Sequence, residues 1–338
     1  MSGLESEVDV LAAETRFSGV VRVDEAERIV VGKAYGLAHR SFAVPNTLDT
    51  RFPIASGTKG LTALTVVSLV EEGRLGLRTP ARALLGADLP SIRDDVTVEQ
   101  LLGHRSGIGD YLDEETDLDP RDYAMPVPVH ELAETEQYVA VLDGHETKFA
   151  PDERFGYCNS GYVVLALIAE RVSGTSFHEL VRRRVCERAE MADTDFSRSD
   201  ELPDRTAVGY LESDGLRTNV FHLPLRGSGD GGIYTTAADM SAFWRAVFAG
   251  RIVSTEWLAD MVRPRSITPS GTRRYGLGFW LDRSGDGVLL VGRDAGVSFA
   301  SRHSPSSGLT ATVLSNTTDG ALPIVRLLEQ RLRPDPSA

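Results

Sequence analysis

The sequence predicts an α/β (α+β) fold in which both chain ends build one sheet lobe and an all-α lobe is inserted between them. Three observations predict it: apolar–polar alternation near the N-terminus, helical apolar spacing through the middle, and a return to short β-rich runs before the C-terminus.

"SGVVRVDEAERIVVGKAYG" (18–36) alternates on both sides of Asp24-Glu25-Ala26-Glu27 and reads as a hairpin. From Ser56 the pattern turns helical, carried by Leu61, Leu64, Val67 and Leu69, and Gly73 stops it as a left-handed cap. "SGYVVLALIAERVSG" (160–174) is apolar on nearly every side, which predicts a buried helix ended by Gly174; the bland alternative for the segment before it is a helix-entry loop with Ser160 as cap. "TAADMSAFWRAVFAG" (236–250) repeats the pattern with Gly250 as stop. "RYGLGFWLD", "GVLLVGRDAG", "SFASRHS" and "LTATVLSN" read as strands, with a turn at "SPSSG" (304–308), and "LPIVRLLEQRL" (322–332) as a closing helix. The sheet lobe is therefore expected from residues 1–59 and 223–338, the helical lobe from 60–222, with a cleft between them.

Composition narrows the function. The chain has 338 residues, 41% of them apolar and 25% charged, an ordinary globular balance. A net charge of −13 argues against nucleic acid, whose phosphates need a basic face. No apolar run approaches the ~18 residues of a membrane span. Two cysteines, Cys158 and Cys186, make no disulfide framework, and "MSGLESEVDVLAAETRFSG" shows no export signal, so a cytoplasmic protein with free thiols is expected. The seven histidines and two cysteines show no metal-ligand spacing, so neither a metal nor another cofactor is expected.

The chemistry centres on "SGTK". Ser56 and Lys59 are three residues apart, so a helix places them on one face, with Cβ atoms ~5–6 Å apart. Serine is a poor nucleophile without an adjacent base. A lysine of pKa ~10.4 serves only if that value falls by about 3, roughly 4 kcal/mol of bias against the cation. The positive end of the helix dipole and burial between lobes both act in that direction. The alternative is a capping serine beside a surface lysine. A second constellation is "YCN": Tyr157 can relay protons to a leaving group, and Asn159 can orient Lys59 or hold a substrate amide.

With "DTRFPIASGTK", "VTVEQLLGHRSGI", "FAPDERFGYCNSGY", "GSGDGGIYTTAADMSAF" and "YGLGFWL" in order from about Phe17 to Asn316, the chain resembles the serine β-lactamase-related hydrolases. These include class C β-lactamases, D-alanyl-D-alanine carboxypeptidases, D-aminopeptidases and family VIII carboxylesterases. The resemblance implies a β-lactamase/transpeptidase-like fold, with an antiparallel sheet flanked by helices. It implies Ser56 as the acylated nucleophile, Lys59 as its base, Tyr157 as proton relay and Asn159 as polar support, acting on a small ester, amide or peptide substrate. Esterase-like activity is favoured. The rival is a non-catalytic protein that binds peptidoglycan-like or acyl ligands in the same cleft.

The third family motif, usually Lys-Thr-Gly or His-x-Gly, is replaced here by Arg293-Asp294-Ala295 in "VGRDAGVSF". Arg293 could meet a substrate carboxylate, Asp294 would repel it or neutralise Arg293, and the backbone N–H near Gly296 is a candidate oxyanion donor. Weak activity on penicillins is therefore expected. His104 reads as structural and "GSGDGG" (227–232) as a tight turn. The seven carboxylates of "GDYLDEETDLDPRD" (109–122) read as a solvated loop that can bias the cleft toward neutral or cationic substrates.

Overall fold

The computed structural model describes residues 3–116 and 119–332. It opens with a helix that the sequence reading did not anticipate, α1 (Leu4–Thr15). The hairpin follows as β1 (Gly19–Glu25) and β2 (Arg28–Tyr35). Helices α2 (Thr58–Glu71), α3 (Asn159–Ser173) and α4 (Ala237–Phe248) stand at the predicted places. Their stops Gly73, Gly174 and Gly250 all have positive φ.

The C-terminal part begins with a short strand outside the expected runs, β3 (Ser266–Ile267); "RYGLGFWLD" is split into β4 (Arg273–Tyr275) and β5 (Trp280–Asp282), and the other three runs form β6 (Val288–Asp294), β7 (Val297–Ser304) and β8 (Leu309–Ser315). The chain closes with α5 (Ala321–Arg331). The eight strands make one sheet in the order β2-β1-β8-β7-β6-β5-β4-β3, every neighbour antiparallel. The first hairpin thus pairs with the last strand, Gly19 opposite Ser315, which is how both chain ends complete one sheet.

Strand alternation divides the core. Val20 and its partner Leu314 point into the large cluster shared with α2, α3 and α4. Val21 and its partner Val313 point the other way, into a smaller cluster roofed by α1 and α5 through Leu4, Val8, Ile324 and Leu328. This second face explains α1: without it, the outer side of the β1–β2–β8 edge would be an apolar surface. The α1 periodicity is weak because only Leu4, Val8 and Ala12 are buried.

The large cluster runs from sheet residues such as Leu290 and Phe299 through Leu61 and Leu64 of α2 to Val163 and Leu167 of α3. Helix α2 therefore sits in the middle, wrapped on all sides, and every residue from Thr58 to Leu69 is buried. No described helix is long and apolar enough to cross a membrane.

Candidate active site

A single 3₁₀ turn, Ala55–Gly57, leads into α2 and carries Ser56. β6 passes so close to this turn that a Cβ on Gly292 would fall against the Ile54 carbonyl and within 3.0 Å of the Ser56 and Gly57 backbone nitrogens. Only glycine permits that approach. One turn on, Lys59 is 2% exposed.

The Lys59 amine touches three oxygens: Ser56 Oγ at 2.9 Å, Asn159 Oδ1 at 2.7 Å and the Asp230 backbone carbonyl at 2.9 Å. Two of these can only accept. A neutral amine has two N–H groups for the Asn159 and Asp230 oxygens, leaving its lone pair for the Ser56 hydroxyl proton. Burial lowers the Lys59 pKa from the ordinary lysine value, against the opposing pull of the Asp230, Glu114 and Asp110 carboxylates.

Tyr157 stands over the same amine, with Lys59 Nζ 4.9 Å from its ring centroid. The ring is held between His104, centroids 4.4 Å apart, and Trp280, stacked at 5.8 Å. Burial pushes the Tyr157 phenol well above its usual value and the Glu114 charge adds to that, while a hydrogen bond with Ser56 acts in the opposite direction. The strand-like segment bearing Tyr157 is fixed by His104: Gly156 N–H donates to its carbonyl at 2.9 Å and Cys158 N–H to its Nδ1 at 3.1 Å. An Nδ1 that accepts places the ring proton on Nε2, and burial lowers the imidazole pKa well below its ordinary value.

The mouth of α3 differs from expectation. Ser160 does not cap it; its hydroxyl accepts from Tyr111 N–H at 2.9 Å. Cys158 holds the cap position, and Asp110 adds two acceptors to the helix start, its oxygens taking Asn159 N–H at 2.9 Å and Ser160 N–H at 2.8 Å. Cys158 Sγ accepts from Gly161 N–H, and burial pushes that thiol well above its usual value. In the Asn159 side chain, Oδ1 accepts from Lys59 at 2.7 Å, and both Nδ2 hydrogens are taken, by Leu112 O at 2.8 Å and Glu114 Oε1 at 3.0 Å. Of the two roles open to it, this contact fits the orienting of Lys59.

The third-motif residues are scattered by comparison. Arg293 borders the open cleft with Ser56, Tyr157 and Trp280, and its guanidinium donates to Asp319 at 2.7 Å. It is thus a paired cation. Asp294 faces a separate pocket and accepts from Ala295 N–H at 2.7 Å. Gly296 is a correction: its N–H donates to Thr318 Oγ1 at 2.9 Å and is not available to an oxyanion. The "GSGDGG" segment is more than a turn, since Asp230 supplies a carbonyl to Lys59 and its buried carboxylate accepts from Tyr111 OH at 2.5 Å. Likewise Asp110 and Glu114 of the acidic run belong to the site rather than to a solvated loop.

A buried serine–lysine pair with an adjacent tyrosine, at the foot of a helix between a sheet and a helical layer, can activate a hydroxyl for attack on a carbonyl. The chain belongs to the Beta-lactamase family, which it matches over residues 4–331. The solved structure of a penicillin-binding protein from Bacillus halodurans is similar with a TM-score of 0.89 at 33% identity, covering 96% of this chain and 99% of that one. Esterase EstB of Burkholderia gladioli is 28% identical over 82% of this chain and 77% of that protein. PbpX of Bacillus subtilis is 29% identical over 79% of this chain, which spans 63% of the length of that relative.

Proposed function

We propose that the protein is a serine hydrolase that works through an acyl-enzyme on esters or amides, in a cleft between a sheet lobe (1–59, 223–338) and a helical lobe (60–222). The burial of Lys59 beside Ser56 carries this reading: its amine lies 2.9 Å from Ser56 Oγ, burial disfavours the cation, and the neutral amine can give its two N–H groups to the Asn159 and Asp230 oxygens and its lone pair to the Ser56 proton. Lys59 takes the Ser56 proton as the oxygen attacks the carbonyl carbon. The Ser56 backbone N–H, at the open start of the helical turn, donates to the developing oxyanion. Tyr157 and Lys59 return the proton to the leaving group, and water then cleaves the acyl bond with the same groups acting in reverse. A protein that only binds acyl ligands has no use for a lysine buried in this way.

Substrate preference follows from the cations. The arginines lining the open cleft, Arg273 and Arg293, are paired with Glu329 and Asp319. Each arginine's charge is already partly offset by its carboxylate partner, which weakens its pull on a substrate carboxylate, whereas an uncharged acyl group does not depend on that pull. EstB, an esterase by name, agrees with that preference. Assayed side by side, p-nitrophenyl acetate is expected to give kcat/KM at least tenfold above that of a penicillin. Comparable values would refute the preference, and no turnover of either would remove the hydrolase reading.

A further inference from the structure

Asp230 meets the Lys59 amine with its backbone carbonyl at 2.9 Å and brings a carboxylate into the same buried region, 7% of the residue being exposed. The segment that carries it is fixed. Thr62 of α2 donates its hydroxyl to the Gly229 carbonyl at 2.7 Å, and a Cβ on Gly229 would fall 2.1 Å from the Tyr162 carbonyl of α3. The carboxylate accepts from Tyr111 OH at 2.5 Å. Tyr111 is held through its own backbone: its N–H donates to Ser160 Oγ at 2.9 Å and its carbonyl accepts from Tyr123 OH at 2.9 Å. No arginine, histidine or second lysine pairs with Asp230 among the described residues, so Lys59 is the cation that answers its charge.

The other acids around the amine are engaged or exposed. Asp110 gives its oxygens to the Asn159 and Ser160 N–H groups at the start of α3. Glu114 is exposed, where solvent screens its charge, and accepts from Asn159 Nδ2. Asp294 of β6 accepts from Ala295 N–H. The remaining titratable groups add no charge at neutral pH: burial pushes the Tyr157 and Tyr162 phenols and the Cys158 thiol up and the His104 imidazole down. The same holds for Tyr123 and Tyr138, which face Asp230.

We propose that Asp230 is the counter-charge of Lys59: its ionised carboxylate holds a proton on the resting amine and so sets the pH at which Ser56 gains its base. It acts through Lys59 and not on the substrate, and the proposal rests on the hydrolase reading for the role of that amine. Burial lowers the Lys59 pKa, and of the carboxylates that oppose it Asp230 acts most strongly, ahead of Glu114 and Asp110. Burial raises the Asp230 pKa in turn, against Lys59 and the Tyr111 hydroxyl. Two buried groups that act on each other titrate as a pair, so the ascending limb of the pH–rate profile belongs to both.

The pH dependence of kcat/KM for p-nitrophenyl acetate tests this in wild type and in D230N, which keeps the backbone carbonyl and the shape of the side chain. D230N is expected to move the ascending limb down by about one pH unit or more. It should therefore exceed wild type on the acid side of the limb and fall below it on the plateau, where the amine has become a weaker base. A limb that stays in place or moves up overturns the proposal. So does a loss of rate that is uniform across pH, the mark of a merely structural role. Where D230N fails to fold, Y111F removes the hydrogen bond that favours the ionised carboxylate and should move the limb in the same direction; an unmoved limb there also overturns the proposal. Where wild type does not cleave the ester, the hydrolase reading falls alone, because ¹³C NMR of the Lys59 ε-carbon, assigned with K59R, still decides: a lower Lys59 pKa in D230N upholds the counter-charge and an unchanged one removes it.

Discussion

Lys59 concentrates the physics of the site. A lysine buried to this degree favours the neutral amine, and the surrounding carboxylates keep the proton from being lost outright. The sign of the resulting pH dependence is fixed: the neutral form is the active one, so kcat/KM rises with pH through the Lys59 pKa. That ascending limb is expected below the ordinary lysine value of ~10.4 when p-nitrophenyl acetate is followed across pH. Lys59→Arg keeps the charge and cannot give up a proton in a protein, so acylation should slow by about 10²–10⁴-fold. Rapid-mixing kinetics of the acylation phase would check it, and near-wild-type rates would show that another group takes the proton. The Ser56–Lys59 pair was legible from its local spacing, and Tyr157 and Asn159 joined it only through the family resemblance, because Asn159 meets Lys59 across 100 residues. Asp230 and Asp110 were not legible. Their partners lie 171 and 49 residues away, and no local pattern reports such contacts.

At the scale of elements, the site depends on how closely β6 approaches the turn before α2. Gly292 is the contact point, and a methyl group there would displace the Ser56 amide or open the sheet. Gly292→Ala is therefore expected to slow labelling of Ser56 at least tenfold while the helices stay folded by circular dichroism. Unchanged labelling would mean that the turn tolerates the shift. The helices themselves were readable from apolar spacing and glycine stops. Ser160 is no cap because α3 already begins at Asn159: Cys158 holds the cap position with its Sγ on Gly161 N–H, and Asp110, brought up by the loop after His104, takes the Asn159 and Ser160 N–H groups. α1 escaped notice because its few buried positions leave a faint stripe.

At the scale of the whole molecule, the same burial that forms the site charges a stability cost. Asp294 rises to about 7, against ~3.9 in an unfolded chain. Between those values the folded state binds more protons than the unfolded one, so stability falls as pH rises through the window. Asp110, lifted to about 6 by burial, acts in the same direction. D294N should be more stable than wild type at pH 8 by on the order of 4 kcal/mol, and the gap should close toward pH 4. Urea denaturation at pH 4, 6 and 8 would read this directly, and a gap independent of pH would contradict it. The architecture was legible at this scale because sheet-forming sequence at both ends can close only as one sheet. The pocket that Asp294 shares with Asp230 was not, since it is built where three distant segments meet.

The account turns on Ser56 becoming acylated, and intact-protein mass spectrometry after incubation with a fluorophosphonate probe tests that most directly. Wild-type protein should gain the mass of one probe adduct, localised to the peptide containing Ser56, and S56A should gain none. No adduct on the wild type, or an equal adduct on S56A, would contradict it.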